Sequence, residues 1–148
     1  MTRTWPHAIR LVAALLALGG LLQADLDKVK RESDPGKRSR LAVEHADKML
    51  GAARDAWRTG DAEKVRSSLD EVREAVQLAY DTLDDAGWNA RKKANPFKRV
   101  EIGTRNLLRR LESFRIDMGF DEREQLDEVI EAVREVNKQT LRQIMGGR

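Results

Sequence analysis

Cysteine is missing from all 148 residues. Its absence excludes a disulfide framework, a thiolate nucleophile, a Cys/His zinc cluster and a lipid-modified cysteine behind a leader peptide. Histidine is almost as scarce, with His7 and His45 alone. A di-iron bundle needs the Glu-x-x-His motif twice, which two such histidines do not supply. A Ser-His-Asp site would have to use His45 with a helix serine, and no nucleophile-elbow glycine pattern accompanies any of them. Aromatic residues make up 5% of the chain, and no stretch alternates polar and apolar residues with a period of two, so strands are not expected. The sequence therefore predicts a protein that is not an enzyme and carries no cofactor.

The first 24 residues have a separate character. Arg3, His7 and Arg10 precede an apolar run from Leu11 to Leu22, after which Gln23-Ala24 gives way abruptly to charged sequence. That order is the pattern of a secretory signal peptide cut after Ala24. Leu22, bulky where signal peptidase favours a small residue, leaves retention as an anchor open, although the run falls short of the roughly 20 apolar residues of a spanning helix. Residues 25–34 read as a polar leader in which Leu26 and Val29 hint at a short helix, and 35–148 as one domain. An exported protein, periplasmic or extracellular, is the expectation, and it argues against a nucleic-acid partner.

Charge must then be counted without the leader. The chain has 28 basic and 25 acidic residues; without Arg3 and Arg10 the balance is 26 to 25. These charges are sorted into blocks. Asp61 to Asp85 holds eight acids against three bases, Arg91 to Arg115 nine bases against two acids, and Asp117 to Glu135 eight acids against two bases.

The same blocks are helices by their apolar spacing. Asp34-Pro35 opens the first, about 35–59, and Gly60-Asp61 closes it and caps the second, about 62–86, in which Val65, Leu69, Val72, Val76, Ala79 and Leu83 share a face. Asn95 as cap and Pro96 as first residue open the third, about 96–118, with Phe97, Val100, Thr104, Leu107, Leu111, Phe114 and Met118 inward. Asp121 and Glu124 form a capping-box-like start to the fourth, about 122–145. Four such helices, each about 35 Å long at 1.5 Å per residue, with two connections of one to three residues, make an all-α, antiparallel four-helix bundle. If the second, third and fourth helices are successive neighbours, the basic helix lies between two acidic ones, and the charge blocks set which helices sit side by side. Wide apolar faces on the first and fourth helices leave room for a homo-oligomer.

Stepping about 100° per residue, Arg99 and Arg110 fall beside the apolar stripe of the basic helix, within reach of a neighbour. Lys98, Arg105 and Arg109 fall opposite it, in one outward row with Ile102. The connector before the helix adds Trp88, Arg91, Lys92 and Lys93. A basic row with an apolar residue and a tryptophan suits an anionic lipid, an envelope polyanion or an acidic protein surface. The alternative is a solvated helix face that only organises the bundle, as in a purely structural envelope protein.

Two smaller constellations remain. His45 and Met49, one turn apart, could hold soft copper, and a haem bundle is a further form of that small-ligand alternative. A helix-flank histidine beside a core methionine is the plainer meaning. Asp81, Asp84 and Asp85 crowd the end of the second helix against its dipole, and Arg91 to Lys93 are the expected compensation rather than calcium.

The stretch "AWRTGDAEKVRSSLDEV" resembles one helix-turn-helix unit of a tetratricopeptide repeat, over about 34 residues. The stretches "DPGKRSRLAVEHAD", "VEIGTRNLLRRLESF" and "DEREQLDEVIEAVREVNKQTLRQIM" are similar to small uncharacterised exported bacterial helical proteins. That resemblance implies export and a helical fold, and no activity. Together the sequence points to an exported bundle that binds a macromolecular envelope partner through the third helix and its connector.

Overall fold

The computed structural model of the chain describes residues 25–146, so the leader peptide read in residues 1–24 lies outside the described residues. The described residues are helical throughout their regular structure, and none of their helices is long and apolar enough to cross a membrane. A short helix, α1, covers 25–30; four long ones follow, α2 (Pro35–Arg58), α3 (Ala62–Asp85), α4 (Ala94–Asp117) and α5 (Glu124–Ile144).

Local chemistry fixes the ends of the first hairpin. The Asp34 carboxylate accepts from the Lys37 amide at 2.6 Å, with Pro35 at the first helical position, where its missing N–H leaves no bond unmade. Gly60 turns the chain with φ 76°, and Asp61 at once caps α3 through the Lys64 amide at 3.0 Å. Only a residue without a Cβ takes that φ without strain, so a three-residue turn can join two 24-residue helices.

The other two starts differ from expectation. Asn95 is not the cap of α4; the helix begins at Ala94, with Pro96 inside its first turn. Asn89 supplies the turn instead, its side chain accepting from the Lys92 amide at 3.1 Å and its carbonyl from Lys93 at 2.9 Å, so the chain is already coiled when it reaches residue 94. Nor does Asp121 cap α5. A single 3₁₀ turn, Phe120–Glu122, comes first, and the Glu122 carboxylate accepts from the Gly119 amide at 3.2 Å. Arg123 then starts α5 while its guanidinium donates to the Met118 carbonyl at 2.9 and 3.1 Å.

Consecutive long helices run antiparallel, yet their lateral order is not the expected one. Packing pairs α2 with α3 and α4 with α5; α2 then lies beside α4, and α3 beside α5, while α3 and α4 touch only across the centre. Side-by-side helices from the two hairpins are parallel. Asp47 bonds Arg110, Arg54 bonds Asp117 at 2.7 Å, and Gln125 at the start of α5 donates to the Arg66 carbonyl near the start of α3 at 2.9 Å. The connector from Ala86 to Lys93 is long enough to carry the chain to the diagonal corner, which a turn as short as Thr59–Asp61 could not do. Gly103 fixes the closeness of α2 and α4: a Cβ there would collide with Val43 Cγ1.

One core runs the length of the bundle, with Phe97, Leu107, Leu111 and Phe114 on α4 at its centre. Trp57 closes one end, its ring edge-to-face with Phe114 at 5.8 Å and 74°. Residues 25–30 belong to this core rather than to a polar leader. Leu26 is fully buried and Val29 nearly so, and Asp25 and Lys30 tie α1 down to Lys48 of α2 at 2.8 Å and to Glu74 of α3 at 2.5 Å. The large exposed apolar residues, Ile102, Ile116, Phe120 and Met145, lie outside α2 and α5.

Candidate functional site

The order of the helices decides the electrostatics. Six bases and three acids on α2, and the same on α4, give each a charge of +3; three bases and seven acids give α3 −4, and three bases and five acids give α5 −2. The basic helix therefore does not lie between two acidic ones. The two basic helices are neighbours on one side of the bundle, and the two acidic helices are neighbours on the other.

Within the basic side the cations divide by position. Arg110, placed by its spacing on the flank of the apolar stripe, reaches Asp47 on α2. Arg115 meets Asp127 on α5, and that contact holds its guanidinium above the ordinary arginine range. Arg99 is exposed and forms no ion pair among the described residues. The outward row is exposed as well: Ile102 keeps 47% of its surface, Arg105 lies 3.5 Å from Glu101 one turn back, Arg109 donates to Asn106, and Lys98 meets no carboxylate among the described residues. Cross-helix bonds thus engage Arg110 and Arg115, whereas Lys98, Arg99, Arg105 and Arg109 face water.

The connector continues this cationic end. Trp88 packs its ring over Gly36 at the start of α2, where a Cβ would stand 3.4 Å from Cζ3, in van der Waals contact. On the ring lies the Lys93 ammonium, 3.7 Å from the centroid, a cation–π contact. Trp88 is thereby a positioning residue, half-buried, more than a contact surface in its own right. Lys92 and Lys93 border an open hollow with Trp88, Gly36 and Asn95. The Arg91 guanidinium lies against Gly146 at the end of α5. None of the three cations forms an ion pair with Asp81, Asp84 or Asp85: Asp81 accepts from Gln77 at 2.8 Å, and the connector cations engage Trp88 and the end of α5 instead. The expected compensation of the acidic cluster by direct pairing is not what the chain builds.

His45 is not a flank residue. It is buried in the seam between α2 and α3, where Nε2 lies 2.7 Å from Glu71 Oε2, and Met49 one turn on is fully buried. The Glu71 carboxylate thus holds one of the two ring nitrogens of His45. Among the described residues no group of three His, Cys, Asp or Glu side chains is placed to hold a metal ion. Glu71 was not singled out in the sequence; its one signal is a carboxylate lying on the apolar face, beside Val72 and one turn from Ala75 and Ser68.

No family model, curated protein or solved structure matches the chain.

Proposed function

We propose that the protein is an exported, non-catalytic helical bundle that binds an acidic macromolecular surface of the cell envelope through the N-terminal half of α4 and the connector before it. The observation that carries this reading is the run Lys92, Lys93 and Lys98, which has no carboxylate partner among the described residues, on the side of the bundle away from its acidic helices. Cations left facing water on one side give a directed positive field, and the exposed Arg105 guanidinium is held only by a 3.5 Å contact with Glu101. The first turn of α4 adds unbonded amides of the same sign, because Lys93 at its cap offers no side-chain acceptor. The leader-like residues 1–24 support export.

The test is binding to anionic vesicles and to a sulfated polymer across a salt series, beside the variant Lys98→Glu/Arg105→Glu/Arg109→Glu. Binding that weakens steeply with salt and is lost in the variant, with helicity unchanged, is the expected result. Equal binding by the variant would remove the row from the contact.

A further inference from the structure

The charge pattern admits a specific acidic partner. We infer that the protein associates with further copies of itself, the outward basic row of α4 on one copy lying antiparallel against the outward acidic row of α5 on the next.

Three observations carry this. The first is the opposition of sides already described, +6 over α2 and α4 against −6 over α3 and α5. The second is the overall balance. The chain's 28 bases include Arg3, Arg10 and Arg148 outside residues 25–146, and all its 25 acids lie inside, so the described residues hold 25 of each. A neutral body with opposed charged sides meets no net repulsion from its own kind, and low net charge favours association.

The third is a match of spacing. On α5, Glu124, Glu128, Glu131 and Glu135 recur at steps of four, three and four, and all are exposed. On α4, Lys98, Ile102, Arg105 and Arg109 recur at the same steps, also exposed. Set antiparallel, Lys98 stands opposite Glu135, Ile102 opposite Glu131, Arg105 opposite Glu128 and Arg109 opposite Glu124, with every cation of the row facing a carboxylate. The two rows of one chain cannot meet each other, because both point away from the core. Their competing partners lie within the chain: the half-buried Glu101 for Arg105, 3.5 Å away, Arg134 for Glu131 and the exposed Arg142 for Glu135.

The register also fixes the kind of assembly. Within one chain Thr104 is level with Asn137, whose amide donates to it at 2.8 Å; in the matched register Thr104 stands opposite residue 129. The second copy is therefore displaced by eight residues, about 12 Å along the bundle axis. A two-fold axis parallel to the bundle keeps levels, and one perpendicular to it sets α4 against α4, so neither produces this contact. The contact is heterologous and leaves one acidic and one basic row free at the ends, which makes it repeat.

This inference rests on the reading of the α4 row as a surface for acidic partners, and it names the partner. Sedimentation velocity of the protein over a concentration series at low and high salt tests it, beside Lys98→Glu/Arg105→Glu/Arg109→Glu and Glu124→Lys/Glu128→Lys/Glu135→Lys. The expected result is a weight-average mass that rises at least about twofold with concentration at low salt and returns to the monomer at high salt. Each variant alone stays monomeric, and an equimolar mixture of the two associates again, which also shows that both are folded. A wild-type protein that stays monomeric at low salt overturns the inference, as does a variant that assembles alone or a mixture that does not. Anionic-vesicle binding by a wild-type protein that remains monomeric removes the self-association and leaves the broader reading standing; loss of both removes both.

Discussion

His45 Nε2 and Glu71 Oε2 meet at 2.7 Å in the seam of the first hairpin, with 4% and 10% of their side chains exposed. The pair sits beneath α1, which is pinned by Asp25 to Lys48, one turn along α2 from His45, and by Lys30 to Glu74, one turn along α3 from Glu71. Deleting one partner strands the other in the core, whereas replacing both with apolar groups leaves nothing unpaired.

Glu71→Ala is therefore expected to lower stability by about 1 to 3 kcal/mol, and Glu71→Gln by less, because the amide oxygen still accepts from the ring. The double change His45→Leu/Glu71→Leu should lie much closer to wild type than either single truncation. Urea unfolding measures all three, and a small effect of Glu71→Ala would show that water reaches the seam.

The attachment of α1 depends on pH in a definite direction. The hydrogen bond and charge of Lys48 hold the Asp25 carboxyl below the ordinary aspartate range, and at the turn into α2 the Lys37 hydrogen bond, followed by the Asp34 amide, does the same for Glu32. A carboxyl lowered in the folded state contributes stability that is present above its unfolded value, about pH 4, and is lost as pH falls through the lowered one. Lys30, raised by its hydrogen bond to Glu74, contributes below the ordinary lysine value and loses that contribution as pH rises through the raised one. Six helical residues are too few to hold a helix alone. Amide exchange at 25–30 should consequently accelerate below about pH 4, before α2 to α5 lose protection. Simultaneous loss throughout the bundle would show that α1 is held by Leu26 and Val29 alone.

Gly103 sets the distance between the two basic helices. Gly103→Ala places a methyl against Val43 Cγ1 and should destabilise by about 1 to 3 kcal/mol. Adding Val43→Ala should recover part of that loss, because the clash is with that side chain. Thermal unfolding of the single and double variants decides it, and a lack of recovery would place the strain in the backbone.

Particular residues show what the sequence makes legible. Asp34-Pro35 and Gly60-Asp61 mark helix ends through local hydrogen bonds, so they are readable without the fold. The outward placement of Lys98, Ile102, Arg105 and Arg109 follows from helical geometry alone, and so does the reach of Arg110 to a neighbour. Which neighbour it reaches does not. A connector spanning 86–93 can lead to an adjacent or a diagonal corner, and the charge blocks, which favour alternating neighbours, do not decide between them. The close contact of Gly103 with Val43 and the burial of Leu26 and Val29 depend on residues distant in sequence. The pairing of His45 with Glu71 is hidden for the same reason, behind an acidic block in which one more glutamate carries no mark.

The claim that the unpaired cationic end is the contact surface is tested most directly by mapping where an anion binds. Amide resonances of the protein would be followed while a sulfated polymer is added at low salt. The largest shifts are expected between residues 88 and 109, on the connector and the first two-thirds of α4, and they vanish at high salt. Largest shifts on α3 or α5, or none between 88 and 109, would contradict it.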